Sequence, residues 1–184
     1  MDIKYLTTEE LEAGLENIRQ SPKDNGVLDM IVRRPQIEER EVLSEGHLDL
    51  ITGLEGDNWK VRGSSSTPDK SAHPEMQINI MNSRVIALLA QEKKRWQLAG
   101  DQLFMDLDLS AENLPVGTKL SIGDAILEIT PPPHSGCRKF TERFGLEAMK
   151  FVNSPVGKEL HLRGVNARVI QTGAIRVSDR VRRI

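Results

Sequence analysis

Apolar residues first recur at helical spacing, with Leu11, Leu15 and Ile18 on one face of residues 7–20 behind Thr7 and Glu10 at capping-box separation. The helix this predicts stops before Ser21-Pro22-Lys23-Asp24-Asn25-Gly26, a cluster of turn formers. The reading is an N-terminal helical extension over residues 1–24 followed by one domain over residues 25–184. From Val27 the pattern changes to short β-type runs, and residues 27–33, 77–80, 119–122 and 125–130 are the best strand candidates. Gly123-Asp124 between the last two predicts a hairpin. Residues 159–170 and 174–181 alternate in the same way around Thr172-Gly173. Two helices are expected within this β-rich body, over residues 83–98 and 138–150; Phe140 and Phe144 stand four apart in the second, and Gly145 weakens it. Residues 62–70 read as a loop. Many short strands and few helices predict a mainly β fold, an antiparallel barrel or sandwich rather than a parallel α/β sheet.

Composition narrows the functional classes. The chain has 184 residues, of which 38% are hydrophobic and 28% charged, which suits one globular domain and neither a disordered nor a membrane protein. The longest apolar run, residues 85–90, is too short to span a bilayer. A net charge of -2 gives no global attraction for nucleic acid, and 4% aromatic residues supply few stacking platforms. Any anion site must be local. The opening Met1-Asp2-Ile3-Lys4 lacks the basic-then-apolar pattern of a signal segment, so a cytoplasmic location is expected. The single cysteine, Cys137, has no partner for an internal disulfide.

Chemistry concentrates in Thr130-Pro131-Pro132-Pro133-His134-Ser135-Gly136-Cys137-Arg138-Lys139-Phe140, where a strand enters a proline-stiffened loop that delivers a thiol beside two cations. At the start of the following helix such a thiol would be biased toward thiolate, the form that attacks electrophiles and binds metals. The alternative is a buried, inert cysteine. His134 with Cys137 makes one His-x-x-Cys pair, too few ligands for structural zinc, and three-residue spacing is unusual for a Cys–His dyad; a loop-exposed histidine is the simpler reading. Asp106 and Asp108 lie on one strand face as a carboxylate pair or as solvated surface. Gly53-Leu54-Glu55-Gly56-Asp57-Asn58-Trp59 is a weak candidate for a ligand cradle. Residues 160–184 hold six arginines against one aspartate, either an anion pocket or an exposed strand face.

Taken in order, these segments resemble the MOSC family, named after the C-terminal part of molybdenum cofactor sulfurase. The similarity runs through residues 27–35, Gly53-Leu54-Glu55-Gly56-Asp57 and Met81-Asn82-Ser83-Arg84-Val85-Ile86. It continues through Gly100-Asp101-Gln102-Leu103, Asp106-Leu107-Asp108, Leu114-Pro115-Val116-Gly117 and residues 122–130, then Cys137-Arg138-Lys139-Phe140 and residues 162–169. Two departures stand out: Gly136 where the family often has proline, and Ser178-Asp179 where it often has Gly-Asp. The resemblance implies a closed or partly closed MOSC-type β-barrel with Cys137 at the family's cysteine position. There it would ligate the metal of a molybdenum–pterin cofactor (molybdopterin) or carry sulfur as a persulfide, and a soft thiolate suits both.

The cofactor carries a phosphate, for which Asn82, Arg84, Arg138, Lys139, Arg163 and Arg168 are the implied cofactor-binding candidates, with Asp57 and Asn82 shaping the site. Pyridoxal phosphate is expected on a sulfur-donating desulfurase partner rather than on this chain, which has no lysine in a recognisable setting for it. As a complete enzyme, the resemblance points to molybdenum-dependent reduction of N-hydroxylated compounds. Electrons would come from a separate donor protein, since no flavin or iron–sulfur motif is present. The competing reading is a non-catalytic small-molecule-binding or interaction module on the same barrel, and a redox-sensing Cys137 is a third.

Overall fold

Alternation along each strand sorts side chains onto two faces, and where helices cover the sheet this chain buries both. The computed structural model describes residues 3–184. Its strands are β1 (Gly26–Arg33), β2 (Glu41–Leu43), β3 (Glu45–Asp49), β4 (Gly53–Leu54), β5 (Ile78–Asn82), β6 (Leu103–Asp106), β7 (Lys119–Ile122), β8 (Ala125–Ile129), β9 (Val165–Gln171), β10 (Gly173–Arg176) and β11 (Arg180–Arg183). Seven of them close a barrel in the order β1-β6-β5-β9-β8-β7-β11 and back to β1; β2 adds to one edge of β1, and β10-β3-β4 form a small second sheet. Only β5 and β6 pair in parallel within the barrel. The fold is mainly β, as the alternating pattern predicts.

Leu28, Ile80, Leu103, Leu120, Leu127 and Ala167 point into the barrel, all fully buried. Phe104, Met81 and Val32 point outward into a second core. A register shift between Leu28 and Met30 explains why Leu28 and Ile31, three apart, share the interior.

The helices are α1 (Thr8–Ala13), α2 (Leu15–Arg19), α3 (Trp59–Arg62), α4 (Ser83–Ala90), α5 (Arg138–Phe144), α6 (Leu146–Asn153) and α7 (Pro155–Glu159), and most of them cover the second core. Of these, α1, α2, α4, α5 and α6 each contribute residues to it. The expected N-terminal helix is capped by Thr7 and Glu10 and divided at Gly14. Its Leu11 and Ile18 pack in the cluster that holds Val85 and Phe104, so both helices of the extension contribute to the second core. The helix expected over residues 138–150 divides at Gly145 (φ +92°) into α5 and α6. That over residues 83–98 becomes α4 and a 3-10 segment, Lys93–Ala99, after Gln91 adopts φ +62°. No helix among the described residues is long and apolar enough to cross a membrane.

Two strand expectations need correction. Residues 159–164 are the end of α7 and a turn, so alternation there reflects a buried Leu162 beneath a helix terminus, and β9 begins at Val165. Residues around Thr172-Gly173 make no hairpin: β9 pairs with β5 and β8, whereas β10 crosses to β3 and β11 returns to the barrel. The Gly123-Asp124 hairpin does form, with Ile122 opposite Ala125.

Two positions with positive φ give opposite predictions. At Gly164 (φ +115°) a Cβ would overlap the carbonyl oxygen of Ile80 and press on the His134 ring. At Ser178 (φ +80°) the chain carries a side chain in the region that favours glycine. Urea unfolding of Gly164→Ala is expected to show a loss of about 2 kcal/mol or more, and Ser178→Gly a gain of up to about 1 kcal/mol. The reverse ranking would contradict the strand geometry.

Candidate functional site

Three chain segments meet at one end of the barrel around a buried carboxylate. Asp101, fully buried just before β6, accepts from Arg163 Nη1 at 2.7 Å and pairs with His134 Nε2 at 2.9 Å. Burial pushes Asp101 up, but the charges of Arg163 and His134 outweigh it and hold the carboxyl below its ordinary value. The carboxylate therefore fixes the His134 tautomer with Nε2–H donating. Burial, and then the charge of Arg163, holds the imidazole below its ordinary value despite Asp101. His134 is mostly buried rather than loop-exposed, and among the described residues no hydrogen bond joins it to Cys137.

A second buried pair stands beside the first. Asp57 accepts three bonds from Arg34, through its backbone N–H, Nε and Nη2, at 2.7–2.9 Å. Burial raises Asp57, and the Arg34 hydrogen bonds and charge more than reverse this, leaving it below its ordinary value. Arg34 also donates to the Gly100 carbonyl at 3.0 Å, and Arg163 to that of Ala99 at 3.0 Å, so both guanidiniums are locked to the same turn. The Arg163 guanidinium lies over the Phe140 ring at 4.8 Å, which ties it to α5.

Cys137 stands exposed at the N-cap of α5, and the buried, inert alternative is set aside. The proline loop that carries it is pinned twice. Asn166 Nδ2 donates to the Pro132 carbonyl at 2.9 Å, and Asn153 both accepts from the Gly136 N–H at 2.9 Å and donates to its carbonyl at 3.1 Å. Proline has no N–H, so the departure at Gly136 is what allows this clamp.

Beside Cys137 opens a cleft of about 260 Å³ lined by Arg34, Arg40, Arg62, Lys139, Arg143 and Arg163, with one carboxylate, Glu38. With Asp57 and Asp101 behind the wall, six cations face three carboxylates, an excess of three positive charges. Burial and then the charges of Arg143 and Arg34 lower Arg40; loss of surrounding water and then Arg34 lower Arg62. Arg40 Nε, Arg163 Nε and Asn58 Oδ1 are buried without hydrogen-bond partners among the described residues. Crowded guanidiniums with spare donors, and one spare acceptor, define a seat for an anion attached to a polar ring. Glu38 (φ +65°) already reaches into it: its carboxylate pairs with Lys139 and, at 2.8 Å, with Arg143, and the Lys139 bond and Arg143 charge hold it below its ordinary value.

Of the residues expected from the sequence, Cys137, Lys139 and Arg163 line the cleft, and Asp57 positions Arg34 at its wall. Arg138 is exposed and pairs with Glu142 along α5. Asn82 is buried elsewhere, where it caps α4 and donates to Ser21 Oγ and the Leu107 carbonyl. Arg84 is engaged by Asp106 and the Asn17 carbonyl, which also places the Asp106 carboxylate in an ion pair; Asp108 caps the Ser110 N–H. Arg168 pairs with Glu128 on the barrel exterior. Arg34, Arg40, Arg62 and Arg143 escaped the sequence reading because they are scattered and share no period; only the barrel topology gathers them.

The family model for the MOSC domain matches residues 67–182, more than half of the chain. The chain belongs to the MOSC family, which is associated with the molybdenum cofactor in general. No curated protein matches it. Among solved structures it is similar to the YuaD protein from Bacillus subtilis, at 14% identity and TM-score 0.59 over 85% of this chain and 94% of that one. It is also similar to YiiM from Escherichia coli, at 20% identity and TM-score 0.54 over 86% and 69% of the two chains. YiiM from Geobacillus stearothermophilus gives 12% and 0.52 over 88% and 74%. These likenesses show the fold. The matched span begins at Thr67, so β1 to β4 lie outside it, yet β1 closes the barrel against β6 and β11.

Two measurements test the site. Because unfolded His134 takes up a proton that the folded site resists, stability is expected to fall as pH drops below about 6.5, with Asp101 adding a further loss nearer its own titration. Urea midpoints between pH 7.5 and 5.5 should show this slope in the wild type and a flatter one in His134→Gln; equal slopes would contradict it. Glu38→Gln should bind inorganic phosphate roughly tenfold more tightly by calorimetry, since a competing carboxylate is removed. Unchanged or weaker binding would show that Glu38 does not occupy the anion seat.

Proposed function

We propose that this chain binds the molybdenum cofactor in the arginine-lined cleft, with Cys137 as the protein ligand to the metal. The observation that carries the reading is the coincidence of an exposed cysteine with buried, unpartnered Arg40 Nε, Arg163 Nε and Asn58 Oδ1 in one strongly cationic cleft. Those groups suit a phosphate-bearing pterin: guanidiniums take the phosphate, and an amide oxygen accepts from ring or amino N–H groups. A cysteine sulfur is a soft ligand matched to molybdenum. Bound there, the metal would supply oxygen-atom transfer chemistry, which the family resemblance extends to reduction of N-hydroxylated compounds with electrons from a separate donor protein.

The protein's own residues divide that work. Arg40 and Arg62, the least compensated cations, hold the anion. Arg34 and Arg163, each anchored by a buried aspartate, fix the wall and do not move when an anion enters. Asn153 and Asn166 hold the proline loop, so Cys137 is presented without a large entropic loss. A second reading, persulfide carriage on Cys137 with sulfur from a pyridoxal-phosphate-dependent desulfurase, draws support from the same exposed thiol.

Protein purified from a host that makes the cofactor is expected to contain near-stoichiometric molybdenum and pterin. Cys137→Ala should lose the molybdenum while its cofactor-free form unfolds at the same urea concentration as cofactor-free wild type, and Arg62→Ala, whose guanidinium makes no hydrogen bond among the described residues, should bind pterin roughly tenfold more weakly. Wild-type protein without metal or pterin would overturn the cofactor reading. An added sulfur on Cys137 by intact mass would then select persulfide carriage.

A further inference from the structure

An apolar cavity lies on the other side of the cysteine loop from the cleft. It measures about 540 Å³ and shares no lining residue with the cleft beside Cys137. It opens where the two hydrophobic cores part: Leu114, Ile129 and Val165 come from the barrel interior and Val152 from the helical layer. Prolines 131–133 cross the gap but have short, rigid side chains that do not fill it, and the Asn166 and Asn153 bonds keep the loop from collapsing inward. The volume falls in the usual range for a small-molecule site.

Two polar groups give the cavity a chemical preference. Lys158 carries the only formal charge on its lining and makes no ion pair among the described residues. His161 Nδ1 lies 2.7 Å from the Leu109 carbonyl, which can only accept, so Nδ1 bears the hydrogen. Its Nε2 has no hydrogen-bond partner among the described residues and, in the tautomer this bond selects, is the acceptor nitrogen. We propose that this cavity is a second small-molecule site, for an aromatic carboxylic acid bearing a hydroxyl or N–H group: the ring on the apolar wall, the carboxylate on Lys158, the donor on His161 Nε2. The cleft, with six cations on its wall against the cavity's one, selects phosphate instead, so the two sites take different ligands. The assignment stands on the cavity alone and does not depend on what Cys137 binds.

The probe is 3-hydroxy-2-naphthoate, followed by its fluorescence on titration into the full chain at constant ionic strength. Saturable one-to-one binding below about 1 mM is expected for a ligand of this size. Excess inorganic phosphate should leave it unchanged. Ala111→Trp, an exposed rim position whose new ring fills the mouth, should weaken it tenfold or more with the urea midpoint preserved. Lys158→Glu should weaken the naphthoate at least fivefold and 3-hydroxy-2-naphthamide by less than twofold. Absence of saturation, displacement by phosphate, indifference to Ala111→Trp, or equal effects of Lys158→Glu on acid and amide would each overturn the proposal.

Discussion

The Asp101 carboxylate is the constraint on which the rest of the site depends. A charge with no solvent exposure is tolerated only when its partners replace water, and Asp101 finds them in His134, 33 positions further along the chain, and Arg163, 62 positions further. Those bonds join the entry to β6, the cysteine loop and the entry to β9. Breaking any one leaves a buried charge uncompensated, which costs far more than the pair contributes when whole. The loop bearing Cys137 is thereby held to the barrel through groups that are themselves fixed by the barrel. Cys137 therefore needs no buried contact of its own and can remain exposed.

The same device is used twice, and the repetition explains the electrostatics of the cleft. Asp57 does for Arg34 what Asp101 does for Arg163, and both arginines also donate to carbonyls of the Ala99-Gly100 turn. Two guanidiniums are thus neutralised and immobilised at the wall. Arg40, Arg62 and Arg143 stand in front with no buried carboxylate; burial lowers Arg40 most, and repulsion from Arg143 and Arg34 lowers it further. Glu38 relieves this only from the solvent side. A bound polyanion would remove the repulsion, so the cleft is preorganised for charge rather than for shape.

Much of the barrel was legible in the chain because period-two alternation is a local signal. β7 is found over the residues expected, β1, β5 and β8 to within two residues at either end, and the Gly123-Asp124 turn where a hairpin was read. Gly145 announced the division of the helix that holds Phe140 and Phe144. What could not be read was which strands meet: β10 leaves β9 for β3, a choice set by closure of the barrel and not by the residues at the turn. β2, β3 and β4 were invisible for a related reason, since Glu45-Gly46-His47-Leu48-Asp49 has almost no apolar alternation and pairs because its neighbours do. For the site, the proline loop and Cys137 stood out as chemistry in one short segment. The arginines did not, because a guanidinium gains its role from what it faces. Asn82 and Arg84, bound up by Ser21, Leu107, Asp106 and Asn17, show the converse: a polar motif recognisable in sequence that the fold spends on structure.

Buried aspartates are proposed to hold a cluster of arginines open for an anion beside Cys137. Anomalous diffraction from crystals of the cofactor-free protein soaked in tungstate, a heavy oxyanion of phosphate-like charge, tests this most directly. The account predicts the strongest anomalous peak inside the cleft, within hydrogen-bond reach of Arg40 or Arg62, with the Asp101 and Asp57 pairs unbroken. A cleft without tungstate while the exposed arginines of β11 carry it would contradict the account.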